Sequence, residues 1–153
     1  MSQAGDAIDL ETSMGYLLKE ASSALRAAME AALRPLGMTV THYSCLELLA
    51  QRPGLSNSEL ARGAFVTRQS MNVLLKTLER DGVVTRPAED RVGKVLPTQL
   101  TARGGERLAA ATVAVRSVEE RMLTGLSAEE QSVARGILRG MISSLRDPGP
   151  LGA

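Results

Sequence analysis

A chain of 153 residues with 44% hydrophobic and 23% charged residues is long enough for one domain with a real core, in the balance of a soluble globular protein. Aromatic residues are only 2%, so Leu, Val, Met and Ala must fill the interior, which favours helices over strand-rich architectures. One cysteine and one histidine exclude a disulfide framework and a zinc cluster, and a net charge of +1 excludes a chain that is basic all over.

Residues 1–11 are polar and acidic and read as a loose arm, without the basic start and apolar run of a secretory signal. No apolar stretch reaches the roughly 20 residues that span a bilayer, so a cytoplasmic protein with no membrane partner is expected. From Met14, the residues Met14, Leu17, Leu18, Ala21, Leu25, Ala28, Met29, Ala32 and Leu33 recur at steps of three and four. That spacing predicts a long amphipathic helix, closed by Pro35 and Gly37. Thr39 caps a second helix, VTHYSCLELLAQR, which the PG at 53–54 ends.

Two helix starts follow only eleven residues apart, Ser56 with Glu59 and Thr67 with Ser70. The second of these helices carries Met71, Leu74, Leu75 and Leu78 on an apolar face and Arg68, Gln69, Asn72 and Lys76 on the other. Gly82 stops it. Residues 56–107 hold nine Lys/Arg against six Asp/Glu, whereas residues 1–55 hold four against six, so the positive charge is local and modest.

The runs VVTRP and KVLPTQL flank the polar, glycine-ended AEDRVG, which reads as an antiparallel hairpin whose prolines keep the strands short or at an edge. Thr101 caps a long helix through RGGERLAAATVAVRSVEERMLTG, and Ser127 with Glu130 opens a last helix to about Leu145. Residues 147–153 read as a frayed tail. A short helix, a tight connection, a longer helix with a polar outer face and then a hairpin is the order of a winged helix-turn-helix, in which the second helix enters a major groove. The fold class expected is therefore mostly α with a small β-hairpin wing.

From about residue 12 to 145 the sequence resembles the MarR family of winged-helix regulators. The resemblance is carried by TVTHYSCLELLA, SNSELARGAFVTRQSMNVLLKTLERDGVVTR, LTARG after the wing and LSAEEQ before the last helix. It implies a single domain with dimerisation helices at 12–36 and 101–146, a DNA-binding lobe at 39–100, and a homodimer whose first and last helices pair across the two-fold. It also implies binding to a palindromic double-stranded DNA operator, usually as a repressor released by a small aromatic or phenolic effector. Two departures stand out. Phe65 occupies the turn where the family often has glycine, which predicts a turn packed by its ring. The family's wing pattern D-x-R, counted back from Thr101, falls on Val92, Gly93 and Lys94, while Asp90 and Arg91 lie two residues early, so either Arg91 or Lys94 is the wing-tip cation.

The candidate DNA contacts are thus Thr67, Arg68, Gln69, Ser70, Asn72 and Lys76 on the recognition helix, with Arg91 and Lys94 on the wing. Arg reads guanine with two hydrogen bonds and Asn or Gln reads adenine, while Lys76, further along, meets phosphate. The bland alternative for each is a solvated helix face or hairpin tip. Cys45 is either a peroxide-sensing thiol or a small buried hydrophobe, and its place in YSCLELLA favours the second. His42 reads as a capping or half-exposed histidine; the resemblance offers it, with Tyr16 and Tyr43, as lining for an effector pocket. No cofactor and no metal site are expected. Nothing assembles a nucleophile with a base, and RGGER does not match phosphate-loop spacing, so an enzyme is not expected. The competing functions are a winged helix serving as an architectural or protein-interaction module, and a thiol-based redox regulator.

Overall fold

Ser and Thr side chains decide where the helices begin. The computed structural model of the protein describes residues 7–86, 97–147 and 149. In chain order these form α1 (Met14–Leu33), a short 3-10 turn (Arg34–Leu36), α2 (Val40–Gln51), α3 (Asn57–Gly63), α4 (Arg68–Arg80), β1 (Val84–Thr85), β2 (Gln99–Leu100), α5 (Ala102–Met122) and α6 (Ala128–Arg146). Ser13, Thr39, Ser56, Thr67 and Ser127 each accept a hydrogen bond from the backbone N–H three residues on. At Ser56 and Ser127 the bond is reciprocated by Glu59 and Glu130, whose carboxyls the Ser hydroxyl and backbone N–H hold below the usual range.

The contacts divide the chain into two units, residues 1–118 and 119–153, with α5 running from the first into the second. In the first unit a single cluster of buried residues joins Leu33 of α1, Cys45, Leu46 and Leu49 of α2, Leu60 and Ala61 of α3, the α4 stripe, and Leu108 and Ala111 of α5. All of them are aliphatic, Met or Cys, as an aromatic-poor composition requires. In the second unit, α6 has no buried residue and exposes Val133, Ile137, Leu138, Ile142 and Leu145.

Among the described residues Val84↔Leu100 and Thr85↔Gln99 pair, antiparallel, and the rest of the expected hairpin lies outside them. What anchors these pairs lies just outside the ladder. The Thr101 N–H donates to the Val83 carbonyl at 3.1 Å, its hydroxyl donates to the Gly82 carbonyl at 2.6 Å, and the same oxygen accepts from the Gly104 N–H at 3.0 Å. One threonine therefore caps α5 and ties its start to the exit of α4. The fit is close because Gly104 has no side chain: a Cβ there would sit 2.1 Å from the Val83 oxygen.

Candidate nucleic-acid interface

The lobe presents α3 and α4 as a pair. α3 lasts two turns, burying Leu60 and Ala61, and comes so close to α2 that a Cβ on Gly63 would meet Leu48 at 2.9 Å. The backbone then reverses through Ala64 N–H to the Leu60 carbonyl (2.9 Å), Phe65 N–H to Arg62 (3.2 Å) and Val66 N–H to Ala61 (3.0 Å). These bonds hold Phe65 at φ 59, in the left-handed region where glycine is usual. The expectation of a turn packed by its aromatic ring is wrong. Phe65 is 88% exposed, because its neighbours Ala64 and Val66 are the residues that pack against the core and close the turn.

Thr67 then caps α4, accepting from the Ser70 N–H at 3.0 Å and donating its hydroxyl to Ser70 Oγ at 2.9 Å. Thirteen residues at 1.5 Å each make a rod of about 20 Å, enough to cross a groove. Met71, Leu74, Leu75 and Leu78 are buried as expected. At about 100° per residue, the row opposite them consists of Gln69, Val73, Lys76 and Arg80. Arg68 and Asn72 are exposed too, but along one edge of that row, with Ser70 along the other. Sequence reasoning missed Val73, which is 63% exposed at the centre of the outer face. Its signal was available: an apolar residue one turn after Gln69 cannot also belong to the buried stripe. An exposed methyl pair there is suited to a thymine methyl.

A second residue missed was Asn57. Its amide donates to Asn72 Oδ1 at 2.8 Å, joining the first turn of α3 to the outer edge of α4. The bond engages the acceptor of Asn72 and leaves its NH2 group as the donor. Thr67 and Ser70, by contrast, are engaged with each other at the cap. β1 and β2 form the described base of the expected wing; Arg91 and Lys94, the two candidates for its tip cation, lie outside the described residues.

Of the three effector-pocket candidates, Tyr16 and His42 line different cavities. Tyr16 borders an open groove of about 460 Å³ along α1, with Lys19, Glu20 and Ser23. Tyr43 is half-buried against the core. His42 lines a cavity of about 20 Å³ with Met38, Leu46, Asp81 and Arg107, room for about one water. Arg107 also donates to the Leu36 carbonyl at 3.1 Å, closing that cavity's rim.

His42 is above all the partner in the α2 capping box. Its N–H donates to Thr39 Oγ1 at 3.1 Å, and its Nδ1 accepts from the Thr39 N–H at 3.3 Å. Nδ1 must be unprotonated to accept. Burial, and then the Arg107 guanidinium, hold the imidazole below its ordinary 6.5, while Asp81 and Glu30 pull the other way. The unfolded chain therefore takes up this proton more readily than the fold does. The stabilisation is full above 6.5 and is lost as pH falls from there through the lower folded value. As His42 is the only histidine, urea midpoints between about pH 7.5 and about pH 5 should fall in the wild type. His42→Gln, which keeps a capping acceptor without the titration, should flatten the curve; an equal fall in both proteins would remove His42 as its source.

Cys45 is fully buried, and burial pushes its thiol up to about 12, so almost none of it is thiolate near neutral pH. The redox reading is disfavoured accordingly. Among the described residues, no group of three or more His, Cys, Asp or Glu lies together, and no helix is long and apolar enough to cross a membrane.

The comparisons with known proteins agree with this geometry. The sequence model of the MarR family matches residues 36–94. The HTH-type transcriptional repressor Rv2887 of Mycobacterium tuberculosis is 47% identical over 118 residues, 77% of this chain and 85% of the relative. A crystal structure of the M. tuberculosis MarR family protein Rv2887 in complex with DNA superimposes with a TM-score of 0.71 at 42% identity, covering 85% of this chain and 98% of that one. Its complex with salicylic acid gives 0.72 at 43% identity, covering 90% and 98%. With the α3–turn–α4 unit, the short antiparallel sheet and this level of identity in hand, the chain belongs to the MarR family of winged helix-turn-helix transcriptional regulators.

Proposed function

We propose that the protein is a homodimeric repressor that reads a palindromic operator in double-stranded DNA and is released by a small aromatic effector. The observation that carries the reading is α4: a capped rod with a buried apolar stripe and an exposed outer surface on which Arg68, Gln69, Asn72, Lys76 and Arg80 surround Val73. Rv2887, similar over most of its length, has been crystallised with DNA and with salicylic acid, which supports both the nucleic-acid partner and an aromatic carboxylate as the effector class. The protein acts by binding rather than by catalysis.

In this reading Gln69, Val73, Arg68 and Asn72 meet base edges, and Asn72, its acceptor held by Asn57, serves as a donor to guanine O6, thymine O4 or a purine N7. Lys76 and Arg80 lie further along and meet phosphates. Residues 12–36 and 101–146 supply the dimer contacts, and the two recognition helices enter major grooves about 34 Å apart on one face of the duplex. An effector that binds better to a dimer with another spacing draws the population away from DNA, by as much as its affinities for the two shapes differ.

The test uses a duplex selected from a random pool by the wild type, and a scrambled one. Alanine at Arg68 or Gln69 should cost roughly 1–3 kcal/mol on the selected duplex and relax preference at one base pair. Lys76→Ala should weaken both duplexes alike and reduce the salt dependence. Equal losses on both duplexes for the Arg68 and Gln69 variants would leave an architectural module without base reading.

A further inference from the structure

We propose that Phe65 is a contact to the DNA backbone, its exposed ring packing on a deoxyribose beside a phosphate engaged by Arg62. The inference rests on the DNA-binding reading above and adds a contact that reads no base. Phe65 is unfavourable to the free protein twice over. Its ring is 88% exposed, and its backbone sits at φ 59, where an L-residue is disfavoured and glycine would be relaxed. Strain of this kind, kept on a bulky side chain, needs a reason outside the fold.

Position supplies one. Phe65 stands two residues before Thr67, the cap of α4, and the first turns of the recognition helix are the part that enters the groove. The residues leading into that cap border the groove, where the sugar-phosphate strand passes. Charge agrees: Arg62, Arg68 and Lys76 are all exposed, and Glu59, the carboxylate nearest Arg62 in sequence, is engaged by the Ser56 cap. A protein partner fits less well. Ala64 and Val66 pack against the core, so Phe65 is a lone ring with a cation three residues to either side, not an apolar patch. The carbon face of a deoxyribose beside a phosphate matches a ring with Arg62 next to it.

The test compares Phe65→Gly, Phe65→Ala and Arg62→Ala in the full chain, on a duplex selected by the wild type from a random pool and on its scrambled counterpart. Phe65→Gly should melt about 2–4 °C higher, since glycine relieves the left-handed backbone. It should nevertheless bind both duplexes about tenfold more weakly. The slope of affinity against salt should not change, because no cation is lost, whereas Arg62→Ala should lower it. Phe65→Ala should lose the same affinity with no gain in melting temperature. Wild-type affinity in Phe65→Gly overturns the proposal, as does a lowered melting temperature, which would make the ring a packing element. A loss confined to the selected duplex overturns it too, by making the ring a base reader. If the pool yields no duplex that the wild type binds, the DNA-binding reading itself has failed; if it yields one that Phe65→Gly binds equally, only the role of Phe65 has.

Discussion

Replacing Gly104 by Ala should cost about 3 kcal/mol or more and lower the melting temperature by roughly 6–12 °C. Ala is favoured over Gly by about 1 kcal/mol inside a helix, so propensity alone predicts the opposite sign. Overpacking wins because the obstacle is backbone. The added methyl would lie 2.1 Å from the Val83 oxygen and 3.0 Å from both the Val83 carbon and Leu100 Cδ2. That oxygen cannot simply withdraw, as it accepts from the Thr101 N–H while Thr101 holds the Gly82 carbonyl and caps α5. The neighbouring glycine gives an internal control. A Cβ on Gly105 would meet nothing within 4 Å, so Gly105→Ala should stabilise by up to about 1 kcal/mol. Urea denaturation of the two variants settles the matter; equal effects would mean that the approach of α5 to Val83 is looser than described.

Ile137→Glu should convert the dimer to monomer and reduce operator affinity by about 100-fold or more. Ile137 is half exposed on α6, as are Val133, Leu138 and Ile142, with Leu145 still more exposed, and none of the described residues buries them. An interface between identical chains about a two-fold receives each substitution twice, and burying an unpaired carboxylate is costly. Losing the dimer removes the avidity that links two half-sites, which typically contributes a factor of about 10² to 10⁴. Sedimentation and operator titration check the two parts. A variant that stays dimeric at micromolar concentration would place the interface elsewhere.

The helices were legible because their starts are written locally. A Ser or Thr that accepts from the N–H three residues on depends on no distant contact, so Thr39, Ser56, Thr67 and Ser127 could be placed from sequence. The apolar stripe of α4 was equally plain, since its period needs no partner to be recognised. The conformation of Phe65 was not, because left-handed backbone there is imposed by bonds to Arg62 and Ala61 and by the packing of Ala64 and Val66. Asn57 was invisible for a related reason: its partner lies fifteen residues away on another helix.

The division of α4 into two faces has an evolutionary consequence. Met71, Leu74, Leu75 and Leu78 hold the helix in place, whereas Gln69, Val73, Lys76 and Arg80 face solvent. Substitutions at exposed helix positions typically change stability by no more than about 0.5 kcal/mol. On the proposed reading, a duplicated copy of this gene can therefore acquire a new target sequence through changes at the exposed Arg68, Gln69, Asn72 and Val73, with foldability inherited unchanged from the buried stripe. Divergence of paralogues into separate regulatory circuits would be limited by the supply of DNA sites, not by the tolerance of the fold.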